Sequence, residues 1–170
     1  MLNLQDVERD LDNLHRVQLE LDRIVTEAGA LGDFMVDENG FLIAESGAID
    51  IDRVALSALV AASFGATAEI ARILGEADFN RIIHQGSTRQ LFIGKAGSRH
   101  ILIVVFGKDT NLGLVKLYAE RVAANIGLIM DSSAEPEPIG SPDGTPPAAT
   151  QPGGEETGSG LFPTWMDNKE

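Results

Sequence analysis

The sequence predicts an α+β sandwich, one mostly antiparallel five-stranded sheet covered by helices in the order α-ββ-α-βββ-α. Three observations carry this expectation. Long segments with an apolar residue at every third or fourth position alternate with short apolar runs. Turn-forming residues separate the short runs. Composition changes abruptly near residue 130, which confines the predicted domain to residues 1–130.

The first helix is expected over residues 4–28, where Leu4, Val7, Leu11, Leu14, Val17, Leu21, Ile24 and Ala28 form one stripe between charged residues. Asn3 is placed to cap it and Gly29 to end it. Phe34-Met35-Val36 and Phe41-Leu42-Ile43-Ala44 flank Asp37-Glu38-Asn39-Gly40, and the Asn-Gly pair predicts a tight hairpin turn. A second helix is expected from about Arg53 to Gly75 with Asp52 as its cap. Strand-like segments follow near Phe79–Gln85, Gln90–Lys95 and His100–Phe106, the last two joined through Ala96-Gly97-Ser98. Leu112, Val115, Tyr118, Val122, Ile126 and Ile129 predict a third helix.

The chain has 170 residues, with 26 acidic residues against 13 basic ones and a formal net charge of −13. That field repels phosphates and argues against nucleic acid or anionic lipid as a main partner. With no cysteine, disulfides, thiolate metal sites and cysteine nucleophiles are excluded. No apolar run is expected to reach the roughly 18 residues of a membrane span, and Met1 opens no signal-like segment, so the cytosol is the expected setting. Residues 131–170 hold eight acidic residues, one basic residue and all seven prolines. Such a stretch cannot bury enough apolar surface to offset the entropy of ordering, and Ser132 to Gly160 are expected to be disordered. Leu161, Phe162, Trp165 and Met166 interrupt it with an apolar cluster that has the composition of a short docking motif.

Catalytic chemistry does not assemble. His15, His84 and His100 lack metal-binding spacing, and no metal site or cofactor is expected. Gly94-Lys95 and Gly107-Lys108 lack the rest of a phosphate loop. The informative segment is the second helix. Leu56, Leu59, Val60, Ser63, Phe64, Thr67, Ile70, Ala71 and Leu74 fall on one side and suffice for docking on the sheet. The other side carries Val54, Ala58, Ala61, Gly65 and Ala68, with Glu69 and Arg72 only at its far end. A glycine in mid-helix costs roughly 1 kcal/mol against alanine, a penalty that suits the close approach of another backbone. An interface is therefore expected on this side, and a second one along the strand near Phe79–Gln85 if that strand lies at the sheet edge.

The element order together with Val36-Asp37-Glu38-Asn39-Gly40-Phe41, Leu74-Gly75-Glu76-Ala77-Asp78-Phe79 and Ile83-His84-Gln85-Gly86 resembles the Roadblock family of dynein-associated light-chain-like proteins. Val104-Val105-Phe106 and Thr110-Asn111-Leu112-Gly113-Leu114-Val115-Lys116-Leu117 are similar to its bacterial branch, typified by mutual gliding protein B (MglB). The resemblance implies a Roadblock/profilin-like sandwich and a homodimer whose second helices lie side by side and whose edge strands join. Ala58, Ala62, Ala66, Arg81 and Ile83 would then form the dimer interface. It further implies a partner, a Ras-like small GTPase of the MglA type, held by Ala61, Gly65, Ala68, Glu69 and Arg72. The protein would stimulate hydrolysis on that GTPase without an arginine finger and without a catalytic site of its own, or act as a passive scaffold.

Overall fold

In a computed structural model of the chain, residues 3–132 are described. The chain divides at Pro136, and the segment from Glu137 onward lies outside the described residues, as do Leu161, Phe162, Trp165 and Met166. Three helices and five strands follow the predicted order: α1 (Leu4–Ala28), β1 (Gly32–Asp37), β2 (Leu42–Gly47), α2 (Arg53–Leu74), β3 (Arg81–Gln85), β4 (Arg89–Ala96), β5 (His100–Gly107) and α3 (Leu112–Asp131).

The expected caps are in place. The Asn3 side chain accepts from the Gln5 amide, and Gly29 ends α1 at a φ of 71°. Asp52 accepts from Ala55, and Asn111, not among the expected caps, accepts from Leu114, each satisfying an amide that its helix leaves unpaired. In the hairpin turn Asp37 Oδ1 accepts from the Asn39 and Phe41 amides at 2.9 and 2.8 Å, and Gly40 has a φ of 87°. A Cβ on Gly40 would come within 2.8 Å of the Ala58 Cα, so this turn packs directly on the backbone of α2.

The strands form one antiparallel sheet in the order β2-β1-β5-β4-β3. Period-2 alternation divides the central strands between two cores. Leu102, Val104 and Phe106 of β5 join Met35 and Phe92 beneath α1 and α3, while Ile101, Ile103 and Val105 join Phe34, Val36 and Ile93 beneath α2. Fully burying such side chains contributes about 1.5–3 kcal/mol each. At the turn between β4 and β5, Gly97 meets Gly127 of α3 so closely that a Cβ on Gly127 would lie 2.8 Å from the Gly97 nitrogen. Asp131 fastens the same turn by accepting from the Ser98 amide and hydroxyl. The domain therefore includes Asp131, one residue past the expected boundary.

Two helix faces differ from expectation. On α1 only Asn13, Val17, Leu21, Ile24 and Ala28 are buried, and Leu4, Val7, Leu11 and Leu14 are exposed. On α2 the buried residues are Ser57, Val60, Ala61 and Ala71, whereas Leu59, Ile70 and Leu74 of the expected docking stripe are exposed. At about 100° per residue the helix is turned roughly 60° from the expected orientation. Small residues at positions 57 and 61 let its backbone sit close over bulky Phe34, Ile93 and Ile103. The large side chains on its far side stay outside.

Candidate partner-binding surface

α2 carries the chain from edge strand β2 to edge strand β3, and the face it turns away from the sheet is apolar. Leu59, Ala62, Ala66, Ile70 and Ile73 recur at spacings of three or four along it; all five are exposed, Leu59 at 70% and Ile73 at 76%. By length and composition α2 is apolar enough to cross a membrane, which corrects the expectation that no segment reaches that length. Its alanines raise the apolar content without making a continuous run of large side chains. In the fold α2 lies on the sheet, with Arg53 paired to Glu45 of β2 at 3.1 Å.

The residues expected at the interface fall into three groups. Ala62 and Ala66 lie on the outward face, and Ala58 is exposed beside Gly40. Gly65, Ala68, Glu69 and Arg72 occupy one exposed flank of α2, where Arg72 is bound to Glu69 at 2.9 Å. A Cβ on Gly65 would meet nothing within 4 Å, so no part of this domain takes advantage of the missing side chain. Ala61 does not belong with them: it is 7% exposed and packs in the core under α2, because the rotation of the helix turns it toward the sheet. Sequence reasoning placed Ala61 outside and missed Leu59, Ile70 and Ile73. An apolar excess all around the helix was legible; its orientation was not.

Beside the Gly65 flank is a cleft of about 360 Å³ between α2 and the β4–β5 turn, floored by Phe64, Ala68 and Ile101. Two ion pairs stand at it, Lys95 with Asp78 at 2.9 Å and Arg99 with Glu38 at 3.9 Å. His100 lines it too, and burial lowers the pKa of its imidazole despite the nearby Asp131 carboxylate, favouring the neutral ring near pH 7.

β3 pairs only with β4 among the described residues. The bonds from the Lys95 amide to the Asn80 carbonyl and from the Gly86 amide to the Arg89 carbonyl set the antiparallel alternation. Even-numbered residues of β3 therefore bond β4, and the backbone groups of Arg81, Ile83 and Gln85 face the open edge. The Arg81 side chain is held over the α3 side of the sheet by Glu120, and Ile83 is 36% exposed. This arrangement can bind a strand and a helix together. His84 is exposed on β3 and His15 on α1.

Comparison with known proteins agrees with this fold. The Roadblock/LC7 domain matches residues 16–106. An uncharacterized protein of Methanocaldococcus jannaschii is 30% identical over 113 residues, covering 66% of this chain and 96% of its own length. Among solved structures, Myxococcus xanthus MglB is 31% identical at a TM-score of 0.69, covering 72% of this chain and 93% of that one. An MglB with tetrameric arrangement is also 31% identical, with a TM-score of 0.67 and the same two coverages. Matched over more than half its length and sharing the three-helix, five-stranded fold of these MglB structures, the chain belongs to the Roadblock/LC7 family.

Proposed function

We propose that two copies of this protein pair through α2 and β3, and that the paired helices bind a Ras-like small GTPase of the MglA type and accelerate its GTP hydrolysis. The observation that carries this reading is that the domain leaves two surfaces unsatisfied, the apolar outer face of α2 and the open backbone edge at Arg81, Ile83 and Gln85. An exposed apolar face and an unpaired strand edge are each costly to leave bare, and one isologous contact covers both. Ala58, Ala62, Ala66, Arg81 and Ile83 serve that contact, joined by Leu59, Ile70 and Ile73. Gly65, Ala68, Glu69 and Arg72, on the neighbouring flank, meet the GTPase. The chain acts by repositioning the GTPase's own groups and inserts no arginine finger. The segment Leu161 to Met166 supplies a second, tethered contact to the same GTPase. The cytosol is the proposed setting, where such GTPases act.

Light scattering at micromolar concentration should give the mass of a dimer. Single-turnover hydrolysis with a purified MglA-type GTPase should then run faster with the protein than without it, with tighter binding to the GTP-analogue form than to the GDP form. Binding with an unchanged hydrolysis rate would make the protein a scaffold, and a monomer mass would end the pairing.

A further inference from the structure

The first three turns of α1 carry an apolar stripe that the domain does not use. Leu4, Val7, Leu11 and Leu14 are 75%, 39%, 62% and 38% exposed. At about 100° per residue they span about 80° of the helix surface, centred about 100° away from Asn13, Val17, Leu21, Ile24 and Ala28, which face the core. The stripe thus runs on from the core face through Leu21, Leu14 and Val7, drifting about 20° per seven residues, and comes out on an exposed surface.

Its position follows from how α3 lies on α1. Asn125 donates to Glu20 at 3.0 Å, and Tyr118 bonds Glu27, so the two helices run antiparallel. On that register Asp131, the last residue of α3, lies level with about Leu14. Residues 4–13 of α1 then continue about 15 Å beyond the end of α3 at 1.5 Å per residue. The family match begins only at residue 16, so this extension stands outside it.

The charges around the stripe select its occupant. Asp6 and Asp10 border it on one side and Glu8 and Asp12 on the other, while Arg9 and Arg16 lie at the back of the helix. Of the two arginines, Arg9 is paired with Asp6 at 3.4 Å. A second copy of this face would bring carboxylates against carboxylates. The chain's own final segment, with eight acidic residues and one basic between 131 and 170, meets the same repulsion, as does an anionic membrane. We propose that the N-terminal extension of α1 is a docking face for a basic amphipathic helix of a partner protein. The partner's apolar residues, spaced three and four apart, lie along Leu4, Val7, Leu11 and Leu14, and its Lys or Arg side chains reach the carboxylates on both borders. This face is distinct from α2, so a partner here and a GTPase there can bind one molecule at once.

The test uses the full chain and a fluorescein-labelled synthetic 18-residue helix with Leu on one face and Lys elsewhere, read by anisotropy. Binding is expected to fall at least about tenfold in Leu4→Asp/Leu11→Asp, whose altered side chains are exposed and leave the far-ultraviolet dichroism unchanged. It should weaken a few-fold in Asp10→Asn/Asp12→Asn and stay unchanged in Leu117→Asp on α3, where the side chain is also exposed. Three results would each overturn the proposal: equal binding of the same peptide with Glu in place of Lys, loss of binding in Leu117→Asp instead of the α1 variant, or full binding to Leu4→Asp/Leu11→Asp.

Discussion

Replacing Asp33 by asparagine should change how stability depends on pH. Asp33 lies on β1 between Ser46 and Val104, is fully buried, and neither of its carboxyl oxygens has a hydrogen-bond partner among the described residues. Burial first, and then the Asp22 carboxylate of α1, push its pKa from 3.8 up to about 8. Asp22 itself accepts from the Ser46 hydroxyl at 2.6 Å and from Gln18 at 3.1 Å, which fixes that charge beside β1. In the unfolded chain Asp33 ionises near its ordinary value, whereas the folded domain keeps it protonated. Between about pH 4 and pH 8 the native state therefore holds one more proton than the unfolded state, and stability falls as pH rises through this window. One proton corresponds to about 1.4 kcal/mol per pH unit, so raising the pH from 5 to 7 costs about 3 kcal/mol. Asp33→Asn removes the titration and with it this slope, whatever constant cost the buried amide brings. His100 tilts the other way, since burial lowers its pKa below 6.5, but both proteins carry it and it cancels in the difference. Urea unfolding of the two proteins at one-unit steps from pH 5 to pH 9 measures the effect, with the m-value held as the check on two-state behaviour. Parallel stability profiles across that range would refute the reasoning.

Gly127→Ala should destabilise by about 1–3 kcal/mol, because the new methyl would press on the Gly97 backbone, where no side chain can swing aside; a thermal melt reads the loss. Gly65→Arg should leave monomer folding intact or firmer by up to about 1 kcal/mol, since the helix gains a better former and the site is open. The same change should break dimerisation or GTPase binding, and unchanged light-scattering mass together with unchanged GTPase affinity would count against a close contact there. Truncation after Ser132, which spares the Asp131 latch on Ser98, should preserve the dimer and weaken GTPase binding in a nucleotide-state pull-down. Equal affinity after truncation would leave the tail without a role in that complex.

Element order and caps were legible because they depend on near neighbours. Asn3, Asp52 and Gly29 each act within a few residues of where they stand. The orientation of α2 was not legible for a physical reason. A helix with Val54, Leu59, Ile70 and Ile73 on surfaces other than its buried one has no dominant apolar side, and only the shape of the sheet beneath selects Ser57 and Ala61 for the close contact. On α1 the periodicity ran on through Leu4 without regard to where the domain stops. Asp33 gave no sign of its burial, since a carboxylate beside Gly32 reads as a surface turn. The Gly97–Gly127 contact joins residues far apart in the chain, and a spacing argument cannot see it. On α2 an outward apolar surface was legible, but Ala61, expected on it, is buried against the sheet.

The two ends of the sheet are unlike. At β2, α1 reaches over with Gln18, whose amide donates to the Glu45 carbonyl at 2.9 Å, and with Asp22, which holds the Ser46 hydroxyl. At β3 the outer backbone groups of Arg81, Ile83 and Gln85 are bare among the described residues. A ribbon with two bare ends grows without limit, each added copy offering a fresh end to the next. A ribbon latched at one end accepts a single copy of itself across a two-fold axis, and the joined pair then presents only latched ends. If two copies pair as proposed, growth by that route stops after one step, and Gln18 and Asp22, remote from the joint, set its arithmetic.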